Sequence, residues 1–152
     1  MIFSEVLSIL LNVSNTSIQE FASAILYDRS YISKWVNDRA LPSASNWDET
    51  KANILSFFEA KLSAYDVEHL AIQYPYIQAI LQSNQEQSKK ELIDTLLTKA
   101  YARTSDRDEL RKQKKEKNFA ITFTGVQDVI HFLVNYLTQN VYGSSGCSTF
   151  YY

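Results

Sequence analysis

Apolar residues recur at helical spacing along almost the whole chain. Phe3, Val6, Leu7, Ile9, Leu10 and Val13 fall on one face of a first predicted helix, which residues 12–15 interrupt. Thr16 or Ser17 caps a second helix, with Gln19 or Glu20 three residues on to complete a capping box. Phe21, Ala22, Ile25 and Leu26 form its expected buried face. Asp28 is a suitable N-cap for a third helix that carries Ile32, Trp35 and Val36 inward. Pro42 disfavours the helical region for Leu41 and ends the unit. A fourth helix begins at Ser45–Asp48 or Asn46–Glu49, with Trp47, Ile54, Leu55, Phe57, Phe58 and Leu62 as its apolar set.

The second half is also patterned for helix, with one exception. Val67, Leu70, Ile77, Ile80 and Leu81 mark a helical region over 65–81, in which Pro75 suits the first turn of a new helix. Residues 83–87 are polar and read as a turn. Leu92, Ile93, Leu96, Leu97, Ala100 and Tyr101 give a strongly amphipathic helix. Residues 103–117 hold seven Lys/Arg against four Asp/Glu, the pattern of a solvated helix or linker, or of a phosphate-contacting arm. Residues 119–123 alternate and predict a short strand. Thr124 and Gln127 then make a capping box ahead of an apolar helix face at Val126, Val129, Ile130, Leu133, Val134 and Leu137. The last ten residues read as frayed. The expected fold is therefore mostly α: a helical domain over 1–62, then over 63–152 a helical extension and a short strand-helix segment. This second part is a dimerisation or effector region, and the reading leaves room for a longer chain around it.

Composition agrees with a helical chain, since its 152 residues include only Gly 3 and Pro 2. A formal net charge of −2 excludes a strongly basic nucleic-acid coat but not a reader with local basic residues. Residues 1–60 hold four Lys/Arg and seven Asp/Glu, so few phosphate contacts are expected. Cys147 is the single cysteine, and His69 and His131 carry no ligand spacing, so neither a metal nor a cofactor is expected. No nucleophile, metal-protease or phosphate-loop motif is present, and the reading is non-enzymatic. The apolar start lacks a basic n-region, and no run reaches the roughly 18 apolar residues of a membrane span. A cytoplasmic protein follows as the default.

Residues 16–43 resemble a Cro/C1-type helix-turn-helix, and the resemblance covers about residues 2–62. Ala22 matches the small residue at the helix crossing, Ile25 the apolar residue before the turn, Ile32 the buried residue of the recognition helix, and Trp35 the aromatic after Ser33-Lys34. Residues 37–42 match the polar loop and proline that follow. The chain departs from the pattern at three places. Leu26 and Asp38 stand where the family often has glycine, and Ile18 stands where it often has glutamine, with Gln19 the nearest replacement. The turn is then built without a residue that favours positive φ.

The resemblance implies a lambda-repressor-like fold and a sequence-specific transcriptional regulator of double-stranded DNA, a repressor binding as a homodimer. Arg29, Ser30, Ser33 and Lys34 are the implied base readers, Arg29 with the reach to hold guanine O6/N7. Ser17, Gln19, Tyr31, Asn37 and Arg39 are the implied backbone contacts. Apolar faces over 92–101 and 126–137 are the candidate dimer interface, and a small-molecule or peptide effector of unknown identity suits the second part. The alternative is a protein-interaction module or antitoxin-like adaptor that keeps the helix-turn-helix as scaffold.

Overall fold

A computed structural model describes residues 1–83 and 88–142. Its helices are α1 (Phe3–Val13), α2 (Ile18–Ala24), α3 (Arg29–Val36), α4 (Trp47–Lys61), α5 (Ala64–Gln73), α6 (Pro75–Ser83) and α7 (Lys89–Tyr142), with one 3-10 turn at Ala44–Asn46. The chain divides into two compact units, Met1–Arg107 and Asp108–Tyr152.

The first unit is a helical core built from the predicted faces. Phe3, Val6, Leu7 and Leu10 of α1 meet Phe21 and Ala22 of α2, Ile32 and Trp35 of α3, and Ile54 and Phe58 of α4. Phe3 is the aromatic centre, edge-on to Trp35 at 6.4 Å, to Trp47 at 5.8 Å and to Tyr101 at 6.2 Å. Trp47 and Tyr101 stack at 3.9 Å, and the Tyr101 hydroxyl donates to the Pro42 carbonyl at 3.0 Å. Pro75 opens α6 as expected, where a missing N–H costs nothing.

Helix α7 closes this core from a distance in sequence. Leu92, Ile93, Leu96, Leu97 and Ala100 are all buried in it. The 92–101 face expected at a dimer interface is therefore interior to the first unit. Two polar residues of α7 also finish the ends of other helices. Ile2 precedes α1 with no side-chain acceptor of its own, and the Phe3 N–H donates instead to Thr104 Oγ1 at 2.9 Å. At the other end of α4, Lys89 Nζ donates to the Glu59 and Leu62 carbonyls, placing a cation where the helix dipole favours one.

Several local expectations are corrected. Residues 119–123 are helical, and no strand occurs among the described residues. A lone five-residue strand has no partner in a chain of helices, whereas a helix already running gains one hydrogen bond per residue added. The strand-helix segment is thus a continuation of α7, and Thr124 and Gln127 lie inside that helix, where no helix start exists to cap. The charged 103–117 stretch is part of the same helix. Leu26 is 92% exposed, not on the buried face of α2. Helix α4 follows the 3-10 turn without a side-chain cap, and the Glu20 carboxylate binds Lys61 at 2.6 Å in place of closing a capping box. Of the turn expected at 83–87, Ser83 is the last residue of α6, and 84–87 lie outside the described residues, as does the tail at 143–152, Cys147 included.

Candidate nucleic-acid interface

Helices α2 and α3 are joined by four residues whose backbone follows from the end of α2. Ser17 caps the start of α2, its Oγ accepting from the Glu20 N–H at 3.1 Å. At the far end the Tyr27 N–H donates to the Ala22 carbonyl at 3.0 Å, with Leu26 at φ 60° between them. This six-to-one closure is a Schellman cap, which needs one residue in the left-handed region. The turn is thus made in the expected place by a leucine. Two neighbours end the same way. Asn15 at φ 49° closes α1 through Thr16 N–H to Leu11 carbonyl, 2.9 Å, and Asp38 at φ 55° closes α3 through Arg39 N–H to Lys34 carbonyl, 2.8 Å. Helices α1, α2 and α3 therefore end on the same motif without a glycine in it.

Helix α3 starts on Asp28, whose Oδ1 accepts from the Ser30 N–H at 2.7 Å. Hydrogen bonds from the Ser30 side chain and backbone hold the Asp28 carboxyl below its ordinary value. Ile32 and Trp35 turn inward, and Tyr27 packs edge-on to Trp35 at 5.0 Å. The opposite face carries Arg29, Ser30, Tyr31 and Lys34, all exposed, with Ser33 half-buried. A spacing of four brings Arg29 beside Ser33 and Ser30 beside Lys34.

The proposed contact residues differ in how far they are already engaged. Lys34 Nζ lies 5.5 Å from the Tyr31 ring centroid, a cation–π pair that orients both. Asn37 Nδ2 donates to the Ser33 carbonyl at 2.7 Å and reaches its Oγ at 3.3 Å, so Asn37 and Ser33 act as one polar group. Ser17 Oγ accepts within its cap and keeps its proton to donate. Gln19 is exposed, its amide 3.5 Å from Ser23 Oγ.

Charge is distributed unevenly over residues 1–62. Lys51 is paired with Asp94 at 2.9 Å and Lys61 with Glu20 at 2.6 Å. Arg29, Lys34 and Arg39, on α3 and the loop after it, make no ion pair among the described residues. Sequence reasoning missed what fixes that loop. Arg107 grips Asp38 with both terminal nitrogens, Nη1 to Oδ2 at 2.8 Å and Nη2 to Oδ1 at 2.7 Å. The two are 69 residues apart and carry no local signal of each other. Among the described residues no cluster of three or more His, Cys, Asp or Glu is placed to hold a metal, and no helix is long and apolar enough to cross a membrane. Comparison with protein-family models, curated proteins and solved structures found no match to this chain.

Proposed function

We propose that this chain is a sequence-specific reader of double-stranded DNA and acts as a transcriptional regulator, with α3 as the helix that enters the major groove. The observation that carries the reading is the arrangement of cations. Lys51 and Lys61 are neutralised within the fold, whereas Arg29, Lys34 and Arg39, on α3 and its following loop, make no ion pair among the described residues. A tight α2–α3 pair with a buried Ile32–Trp35 side and a polar, cationic outer side is what groove insertion requires. Arg29, at the N-terminal end of α3, is the base reader; Lys34 reads a base or a phosphate; Ser17, Gln19, Tyr31, Asn37 and Arg39 position the backbone. The repressor sign rests on the resemblance to Cro/C1-type domains alone. An excess of carboxylates over cations in residues 1–60 favours the second reading, an adaptor that keeps the helix pair for protein contact.

Selection of a site from random duplexes at low salt tests the proposal. Arg29→Ala should cost ~1–3 kcal/mol and relax preference at one position per half-site. Lys34→Ala, if it loses a phosphate, should weaken all duplexes alike and lower the salt slope by about one. With three cations per protomer, two protomers should give a slope no steeper than about −5 in log K against log salt. Failure of the folded protein to enrich any duplex would replace the DNA reading with the adaptor.

A further inference from the structure

The second unit carries an apolar line on α7 that nothing among the described residues covers. Phe119, Ile130, Leu133 and Leu137 are all exposed, Phe119 at 74% and Leu133 at 44%. Phe123 and Val126 fall on the same line by register. The steps along it are four, three, four, three and four residues. At 100° per residue all six positions lie within a band of roughly 80°. That spacing is the a/d seam of a heptad, the pattern two helices bury against each other. Asp128, the one charged residue over 118–142, sits directly opposite the seam.

We infer that the seam is covered by the same seam of a second copy of this chain, running antiparallel. Three observations fix the occupant. The positions flanking the seam are Gln127, Val129, Val134 and Tyr136, so no charge pattern selects a different partner or rejects a copy of itself. The exposed seam residues Phe119, Ile130, Leu133 and Leu137, with Val129 and Val134 at its edges, offer on the order of 550 Å² per chain, about two-thirds of the ~800 Å² that each partner contributes to a standard interface. Orientation follows from the flanking charge. Lys112 and Lys115 continue the seam line toward the N-terminal side, within a block that also holds Arg111, Lys114 and Lys117. Parallel pairing would set two such blocks side by side. Antiparallel pairing about position 128 sets Phe119 across from Leu137 and Phe123 across from Leu133.

The pairing would supply the two half-sites that the DNA reading calls for, yet its test does not depend on that reading. Sedimentation of the full chain without DNA should give a dimer at tens of micromolar. Leu133→Asp places a carboxylate in the seam and should raise the dimer dissociation constant by more than about tenfold, whereas His131→Asp, off the seam, should leave it unchanged. Both variants should keep the parent's helical circular dichroism. In a Cys147→Ser background, Phe119→Cys mixed with Leu137→Cys should form the mixed disulfide in preference to either homodisulfide. A monomeric parent overturns the inference, as does equal weakening by the two aspartates. So does a monomer that pellets with vesicles of anionic lipid, which would make the seam and its lysines a membrane-surface helix. Dominant homodisulfides would overturn the antiparallel orientation. Arg29→Ala should leave the mass unchanged, so loss of DNA binding and loss of pairing are read separately.

Discussion

Thr104→Val isolates one hydrogen bond that joins the two ends of the first unit. Thr104 is 1% exposed, and its Oγ1 accepts from the Phe3 N–H at 2.9 Å while donating to the Ala100 carbonyl at 2.7 Å. The Phe3 N–H belongs to the first turn of α1 and has no partner within that helix. Valine matches threonine in shape, so the substitution leaves packing intact and the buried N–H without an acceptor, at a cost of about 1–3 kcal/mol. The bond from Oγ1 back to the Ala100 carbonyl is mildly unfavourable to a helix, and its loss offsets a small part. The net expectation is about 1–2 kcal/mol, or a fall in melting temperature of roughly 5–10 °C for a unit of this size. Thr104→Ser keeps the hydroxyl and removes one methyl, at about 0.8 kcal/mol. Thermal melts followed by far-ultraviolet circular dichroism rank the two, and amide exchange at Phe3 reports the bond itself. A valine variant that costs less than the serine variant, or a Phe3 amide as protected in the valine variant as in the parent, would refute a role for this bond.

Trp35→Ala should destabilise by ~3–5 kcal/mol, since Trp35 is buried against Phe3 and Tyr27; denaturant titration checks this, and a near-neutral result would mean α3 is not anchored as described. Leu26→Gly should stabilise by about 0.5–1 kcal/mol, because glycine removes the ~1–2 kcal/mol left-handed penalty and adds less than that in unfolded-chain entropy, whereas Leu26→Ala should bring no such gain. A destabilised Leu26→Gly protein would show that the exposed leucine has a packing role. Acid should also weaken the start of α3. The folded Asp28 carboxyl titrates below the ordinary 3.8, so its contribution is present above that pH and is lost as pH falls through the lower folded value. Asp28→Asn, which keeps an N-cap acceptor, should flatten that part of the stability–pH curve, and an unchanged curve would remove Asp28 as its source.

Sequence by itself determined most elements of the first unit and, Leu26 apart, the inward faces of its first four helices. Phe3, Phe21, Ile32, Trp35 and Phe58 were readable because a helix repeats every 3.6 residues and a buried stripe repeats with it. The caps at Ser17 and Asp28 were readable for the same reason: donor and acceptor are two or three residues apart. The exposed polar side of α3 followed from its buried side. The 119–123 alternation misled because five residues can satisfy a period of two while the longer 119–137 line keeps the heptad. A strand needs a second strand, and only the complete chain shows that no described segment supplies one.

Tertiary structure alone decided what depends on distant residues. The 92–101 stripe is apolar whether it meets its own core or a partner, and only the packing of α7 on the first unit assigns it to the core. Thr104 capping α1 and Arg107 holding Asp38 join groups 101 and 69 residues apart, so no local window contains both partners. The left-handed turns at Leu26 and Asp38 mark the boundary between the two. Helix termination at those points is legible from pattern, but an exposed leucine gives no sign of positive φ. There the backbone is fixed by the Schellman hydrogen bond and by the burial of the flanking Ile25 and Trp35, which outweigh the preference of the residue itself.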